Sequence, residues 1–98
     1  MDDINLGDVV LSKAGRDKGK YFVVIGATGE YAFIANGAAR KTDKPKKKKF
    51  KHLRFSIGHS EYIAKKITSG EKVTNAELRR ELTEFTQGRS MNAMESFK

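Results

Sequence analysis

Over the first 58 positions, hydrophobic residues come in short runs bounded by turn-forming residues. GDVVLSK, residues 7–13, carries Val9 and Val10 up to the glycine-containing stretch AGRDKGK, residues 14–20. KYFVVIGA, residues 20–27, is apolar at successive positions rather than alternating ones. That pattern predicts a strand covered on both faces. A turn at Thr28-Gly29 leads into a third predicted strand, EYAFIAN, residues 30–36, and Asn36-Gly37 supplies backbone freedom for the next sharp turn. Residues 38–47 show no period and contain the only proline, Pro45, so they predict a loop. FKHLRFSI, residues 50–57, predicts a fourth strand, with Leu53, Phe55 and Ile57 on one face and His52, Arg54 and Ser56 on the other. Short strands joined by tight turns predict a mainly β fold, a small β-barrel.

The pattern changes after Gly58. Ser60 is placed to cap a short helix with Ile63 and Ile67 one turn apart, and Gly70 to end it. Thr74 and Glu77 then have the spacing of a capping box, and Val73 and Leu78 that of a hydrophobic staple. Leu78, Leu82 and Phe85 form one apolar stripe at i, i+4 and i+7, with Gly88 as the stop. Neither helix buries much alone, so both are expected to dock on the barrel. The expected organisation is a barrel over residues 1–58 with a basic loop at 40–51, a helical appendage over 59–88, and a frayed tail over 89–98.

A chain of 98 residues with 38% hydrophobic residues allows one small domain with a modest core. Its formal net charge is +8, and the location of that charge changes the picture. Residues 40–54 hold nine Lys or Arg against Asp43 alone, the whole excess, while 11 basic and 11 acidic residues cancel elsewhere. A solvated surface usually mixes signs. A single-sign segment between structured stretches suits a polyanionic partner.

Other chemistries find little support. The chain has no cysteine, so disulfides and thiolate metal sites are excluded. MDDINLGD is acidic where a leader would be basic, and the longest apolar run, Tyr21 to Ala27, is too short to span a membrane. The expectation is a cytoplasmic protein. A membrane-surface role lacks an amphipathic helix or lipidation signal. AGRDKGK departs from a Walker phosphate loop: only three residues separate Gly15 from Gly19 where the pattern needs four, and Lys20 is followed by Tyr21 instead of the Ser or Thr that would hold magnesium. It reads instead as a tight connection with Arg16, Lys18 and Lys20 at its tip. His52 and His59 have no metal-site spacing, and no nucleophile or cofactor motif is present, so no catalysis, metal or cofactor is expected.

In KPKKKKFKHLRF, residues 44–55, lysines would contact phosphates as point charges. If the strand begins at Phe50, then Phe50, His52 and Arg54 share a face able to stack on unpaired bases. The alternative has Phe50 plugging the barrel end. Tyr21, Phe22, Tyr31 and Phe33 read as core.

These residues also carry a family resemblance. GDVVLSKAGRDKGKYFVVI resembles a KOW motif, a glycine-containing β-hairpin of ribosomal proteins and transcription elongation factors, with Gly19 at its central glycine. Taken with NGAARKTDKPKKKKFKHL, it resembles the large-subunit ribosomal protein fourteen-e family and the short bacterial KOW-domain RNA-binding proteins related to it. SGEKVTNAELRREL is similar to the C-terminal region of the bacterial relatives. The resemblance covers residues 7–54 well and implies an SH3-like barrel that binds ribosomal RNA and associates with the ribosome. Carried over by position, the RNA-facing residues would be Arg16, Lys18, Lys20, Arg40, Lys41, Lys46, Lys47, Lys48, Lys49, Lys51 and His52. Lys13, Lys44 and Arg54 complete the candidate RNA-binding set. Two rival readings remain: a transcription-linked KOW module that binds nucleic acid or polymerase, and a protein-interaction adaptor using the Leu78–Leu82–Phe85 helix.

Overall fold

A computed structural model describes residues 4–89; the predicted tail lies outside them from residue 90 onward. Five antiparallel strands come first: β1 (Asp8–Ser12), β2 (Tyr21–Thr28), β3 (Tyr31–Ala35), β4 (Lys46–Lys49) and β5 (Leu53–His59). A 3₁₀ turn, Phe50–His52, joins β4 to β5. Two helices follow, α1 (Glu61–Thr68) and α2 (Asn75–Thr83), the second running on into a π-helical turn, Glu84–Arg89. The sheet order is β4-β3-β2-β1-β5, so consecutive strands pair until β5 returns beside β1. β4 and β5 occupy the two ends, and the sheet is not closed between them.

The uninterrupted apolar run of β2 explains the layering. Val23 faces the helices in a cluster with Val9, Ala35, Ile63, Leu78 and Leu82. Phe22 and Val24 face the opposite way, into a second cluster with Val10, Ala32, Ile34 and Leu53. Both sides of the central strand are therefore covered, as its pattern predicts. Two bulges bend the sheet. One places an extra residue in β2 between Val24 and Gly26; the other lies in β5, opposite the stretch from Val9 to Leu11. Ser56, inside the second bulge, has φ +66°, which is unusual for a residue other than glycine. The predicted alternation of β5 breaks there: Phe55 packs with the inner cluster and Ile57 with the helix-side cluster.

Three further expectations are corrected. Lys46–Lys49 is a strand rather than loop, paired with β3 from Tyr31↔Lys49 to Ile34↔Lys46. Lysine has weak β preference, but the exposed edge of β3 needs hydrogen-bond partners, and a lysine edge discourages pairing with other chains. The following strand starts at Leu53, not Phe50. The chain must leave one end of the sheet and reach the other, and the 3₁₀ turn does this, with Leu53 N–H donating to Phe50 O and Phe50 N–H to Glu30 O. Gly88 does not stop the last helix, which passes through it as a π-helical turn.

The helix starts follow the sequence closely. Ser60 accepts a hydrogen bond from Ile63 N–H, and Thr74 with Glu77 forms a reciprocal capping box. Gly70 and Glu71 donate back to Ile67 O and Lys66 O, closing α1 with the paired bonds of a Schellman motif. Leu78, Leu82 and Phe85 pack against the sheet rather than facing solvent. Between the helices, Lys66 Nζ donates to Glu77 Oε2 at 2.8 Å, and the Tyr62 hydroxyl donates to the same oxygen. These bonds, with the Thr74 N–H, hold the Glu77 carboxyl down to about 2; the same Glu77 bond raises Lys66.

Candidate nucleic-acid interface

The basic residues come from two segments that the fold joins. The β1–β2 connection is a tight turn held by its own backbone, with Gly19 N–H donating to Ser12 O and Lys20 N–H to Asp17 O. Arg16, Lys18 and Lys20 are exposed along it, and Asp17, between them, is 3% exposed. Asp17 turns inward because Arg40, from the β3–β4 connection, donates to its Oδ2 from Nε at 3.1 Å and Nη2 at 2.9 Å. A second tie comes from β4: Lys48 is 9% exposed and its ammonium donates to Ala14 O at 2.8 Å. A third is the bond from Lys13 N–H to His52 O at 2.9 Å. Hairpin, lysine strand and 3₁₀ turn thus form one surface.

Helix α2 fixes the loop between them. Asn75 Oδ1 accepts from Thr42 N–H at 2.8 Å, and Arg79 Nη1 donates to Gly37 O at 2.6 Å. Gly37 has φ +77°, and a Cβ there would run into the Asn75 backbone carbonyl. Only glycine lets α2 sit this close to the turn. Asn36 Oδ1 accepts from Ala38 and Arg40 N–H, which completes the turn and aims Arg40 at Asp17.

Within β4 the strand period sorts the lysines. Lys46 and Lys48 lie on the side of Ile34 and Ala32, so their aliphatic stems cover the inner core. Lys47 and Lys49 lie on the other side with Tyr31, whose ring centroid is 4.6 Å from Lys47 Nζ and 5.9 Å from Lys49 Nζ. Tyr31 and Phe33, read from sequence as core, are half-buried beside these lysines, and Tyr21 is exposed at 37% against Phe85. Only Phe22 of that aromatic set is fully buried. Tyr31 was missed because its neighbours are apolar; the signal lay in its register opposite a lysine strand that sequence alone read as loop.

The fourteen candidates therefore divide. Lys13, Arg16, Lys18, Lys20, Lys41, Lys44, Lys47, Lys51 and Arg54 are exposed, and Lys46, Lys49 and His52 are half-buried. Among the described residues, none of these twelve forms an ion pair with an acidic side chain. Arg40 and Lys48 are engaged internally and hold the surface together. The proposed face of Phe50, His52 and Arg54 does not form, because Phe50 and His52 lie in the turn and Arg54 in β5.

His59 lies at the β5–α1 junction with Nδ1 2.7 Å from Asp8 Oδ1 and Nε2 3.2 Å from Glu61 Oε1. One carboxylate on each nitrogen ties strand to helix and leaves no point on which the three groups converge. Among the described residues no group of three such side chains is placed to hold a metal, and no helix is long and apolar enough to cross a membrane. No protein-family model matches the chain, and no curated protein matches it significantly.

Proposed function

We propose that this chain is a non-catalytic, cytoplasmic RNA-binding protein that works on the ribosome, gripping phosphates of large-subunit ribosomal RNA. The observation that carries the reading is the joined basic surface. Nine exposed Lys and Arg side chains stand on the β1–β2 hairpin, the β3–β4 loop, the edge strands β4 and β5 and the 3₁₀ turn between them, with hairpin, loop, β4 and turn tied to one another through Arg40–Asp17, Lys48–Ala14 and Lys13–His52. Backbone segments fastened to one another present their cations without having to be ordered when a folded RNA binds. The resemblance of residues 7–54 to KOW-domain proteins supports RNA as the polyanion and the ribosome as its setting. In this reading the curved sheet is an SH3-like barrel left open at the β4–β5 seam. The adaptor alternative is disfavoured, since its apolar stripe is already packed on the sheet.

Ultraviolet crosslinking in growing cells, followed by sequencing of the attached nucleic acid, tests the setting. Discrete positions on large-subunit ribosomal RNA are expected. Crosslinks scattered over messages or confined to nascent transcripts would overturn ribosomal binding and favour a general or transcription-linked binder. The surface itself is tested by changing Lys18, Lys41, Lys44 and Lys47 together to Ala. Loss of four phosphate contacts should lower the slope of log affinity against log salt by about 3, with the melting temperature little changed. An unchanged slope would remove these residues from the interface.

A further inference from the structure

The open seam between β4 and β5 holds a cleft of about 230 Å³ lined by Glu30, Lys49, Phe50, Lys51 and Phe55. We propose that this cleft receives one unpaired nucleobase, stacked on Phe50 and Phe55, and that Glu30 selects guanine. The inference rests on the RNA-binding reading above and adds to it a specific ligand element: a base turned out of its helix or loop.

The cleft follows from two local departures from strand structure. The 3₁₀ turn takes Phe50 out of the sheet and onto the inner core cluster, and Phe50 N–H is fixed to Glu30 O. The bulge with positive φ at Ser56 brings Phe55 onto that same cluster, while Ile57 goes to the other side of the sheet. Two aromatic rings from different segments are thereby set at one opening. Both are only half-buried, and both pack on the core while lining the cleft. Its size falls below the roughly 300–1,000 Å³ of pockets that take drug-sized ligands or cofactors. It fits a single planar heterocycle.

The rim chemistry fits a nucleotide. Lys49 and Lys51 flank the rings, and neither has an acidic partner among the described residues, so both can meet the phosphates on either side of an inserted base. Glu30 is the one acid on the rim; it is exposed, and its carboxylate has no partner among the described residues. An ionised carboxylate only accepts hydrogen bonds. Guanine presents two adjacent donors on its Watson–Crick edge, the ring N–H and the exocyclic amine. Adenine and cytosine present one amine each beside acceptors, and uracil an N–H between two carbonyls that a carboxylate would repel. The order expected is guanine first and uracil last.

Fluorescence anisotropy with labelled UUGUU, UUAUU, UUCUU and UUUUU, and with a short RNA duplex that has no unpaired base, tests this at fixed salt. The wild-type protein should bind UUGUU about tenfold more tightly than UUUUU, the scale of one stacked and paired base. Glu30→Gln should remove the preference for guanine over adenine. Phe55→Leu should weaken UUGUU about tenfold while leaving the duplex Kd within twofold. Equal affinity of the wild-type protein for all four pentamers, with duplex binding intact, would overturn the base site and leave the phosphate grip standing. Failure to bind either pentamers or duplex at low salt would overturn the RNA reading and the base site together. Should Phe55→Leu not fold, Glu30→Gln decides alone, since its side chain is exposed; an unaltered guanine preference in that variant would overturn the role of Glu30.

Discussion

Around helices α1 and α2 three cations, Lys66, Arg79 and Arg80, have partners while Lys65 and Lys72 show none among the described residues, whereas along β4 and the β1–β2 connection most are unpaired. Lys66 donates to Glu77, Arg80 lies 3.5 Å from Glu81, and Arg79 holds the Gly37 carbonyl. Among the described residues, on the lysine side only Arg40 and Lys48 have such partners, and both use them to fasten one basic segment to another. Cations of one sign gathered on one surface repel one another, and a polyanion would relieve that repulsion. Charges that serve folding are paired here, and charges available for binding are left unpaired on a frame that the paired ones hold. Stability and RNA affinity should therefore respond to different substitutions.

The largest effect expected on the helix side comes from Leu78→Ala. This fully buried residue anchors α2 on Val9, Val23 and Ala35, and its truncation should cost about 3 kcal/mol in urea unfolding. Affinity for RNA per folded molecule should not change. A fall in affinity at full folding would mean that the ties from Asn75 and Arg79 to the loop loosen with the Leu78 contacts, and that stability and binding are not separable here.

Gly19→Val comes next. Gly19 has φ +86° and open space around the position of a Cβ, so the penalty is conformational rather than a collision. Valine should cost about 2 kcal/mol, seen as a lower melting temperature. An unaltered melting temperature would show that the turn tolerates another conformation.

Lys48→Ala sharpens the comparison from within the lysine run. It removes one donor from Ala14 O, which keeps its bond from Ser12 Oγ, so about 1 kcal/mol of stability should be lost. Lys47→Ala, at the exposed neighbour, should cost no more than about 0.5 kcal/mol through its contact with Tyr31 and should weaken RNA binding. The reverse pattern would mean that β4 presents its other face to RNA.

The smallest effect is a pH dependence on the helix side. The Glu77 carboxyl is held down to about 2 from an ordinary 4.5, so its contribution is fully present above pH 4.5 and disappears as the pH falls towards 2. Comparing urea midpoints of wild type and Glu77→Gln should show a gap that narrows over that window. A gap that stays constant down to pH 2 would show that the carboxylate's charge is not what matters.

Much of the helix side was legible in the chain. Thr74, Glu77, Ser60 and Gly70 act within a few residues of themselves, and the Leu78–Leu82–Phe85 stripe has a period that only a helix satisfies. The three apolar strands were legible for the same reason. The lysine side was harder. Lys46–Lys49 has no periodic contrast among its residues, so its strand depends on what β3 requires of its edge. Phe55 and Ile57 alternate correctly in sequence, yet one turn of the backbone at Ser56 sends them to opposite cores. Asp17, an acid among cations in a turn, gave no sign of being buried until Arg40 reached it from 23 positions away.

By itself, then, the sequence determined the local elements and the location of the charge: helix starts, turns, the doubly covered β2 and a segment holding the full +8 excess. These depend on neighbours a few residues apart, so composition and spacing record them. The tertiary structure alone decided which lysines are tied into the frame and which are not, and that Phe50 and Phe55 line one cleft. Those outcomes depend on sheet order and on two bulges, where residues distant along the chain compete for the same backbone partners, and no local pattern records the result.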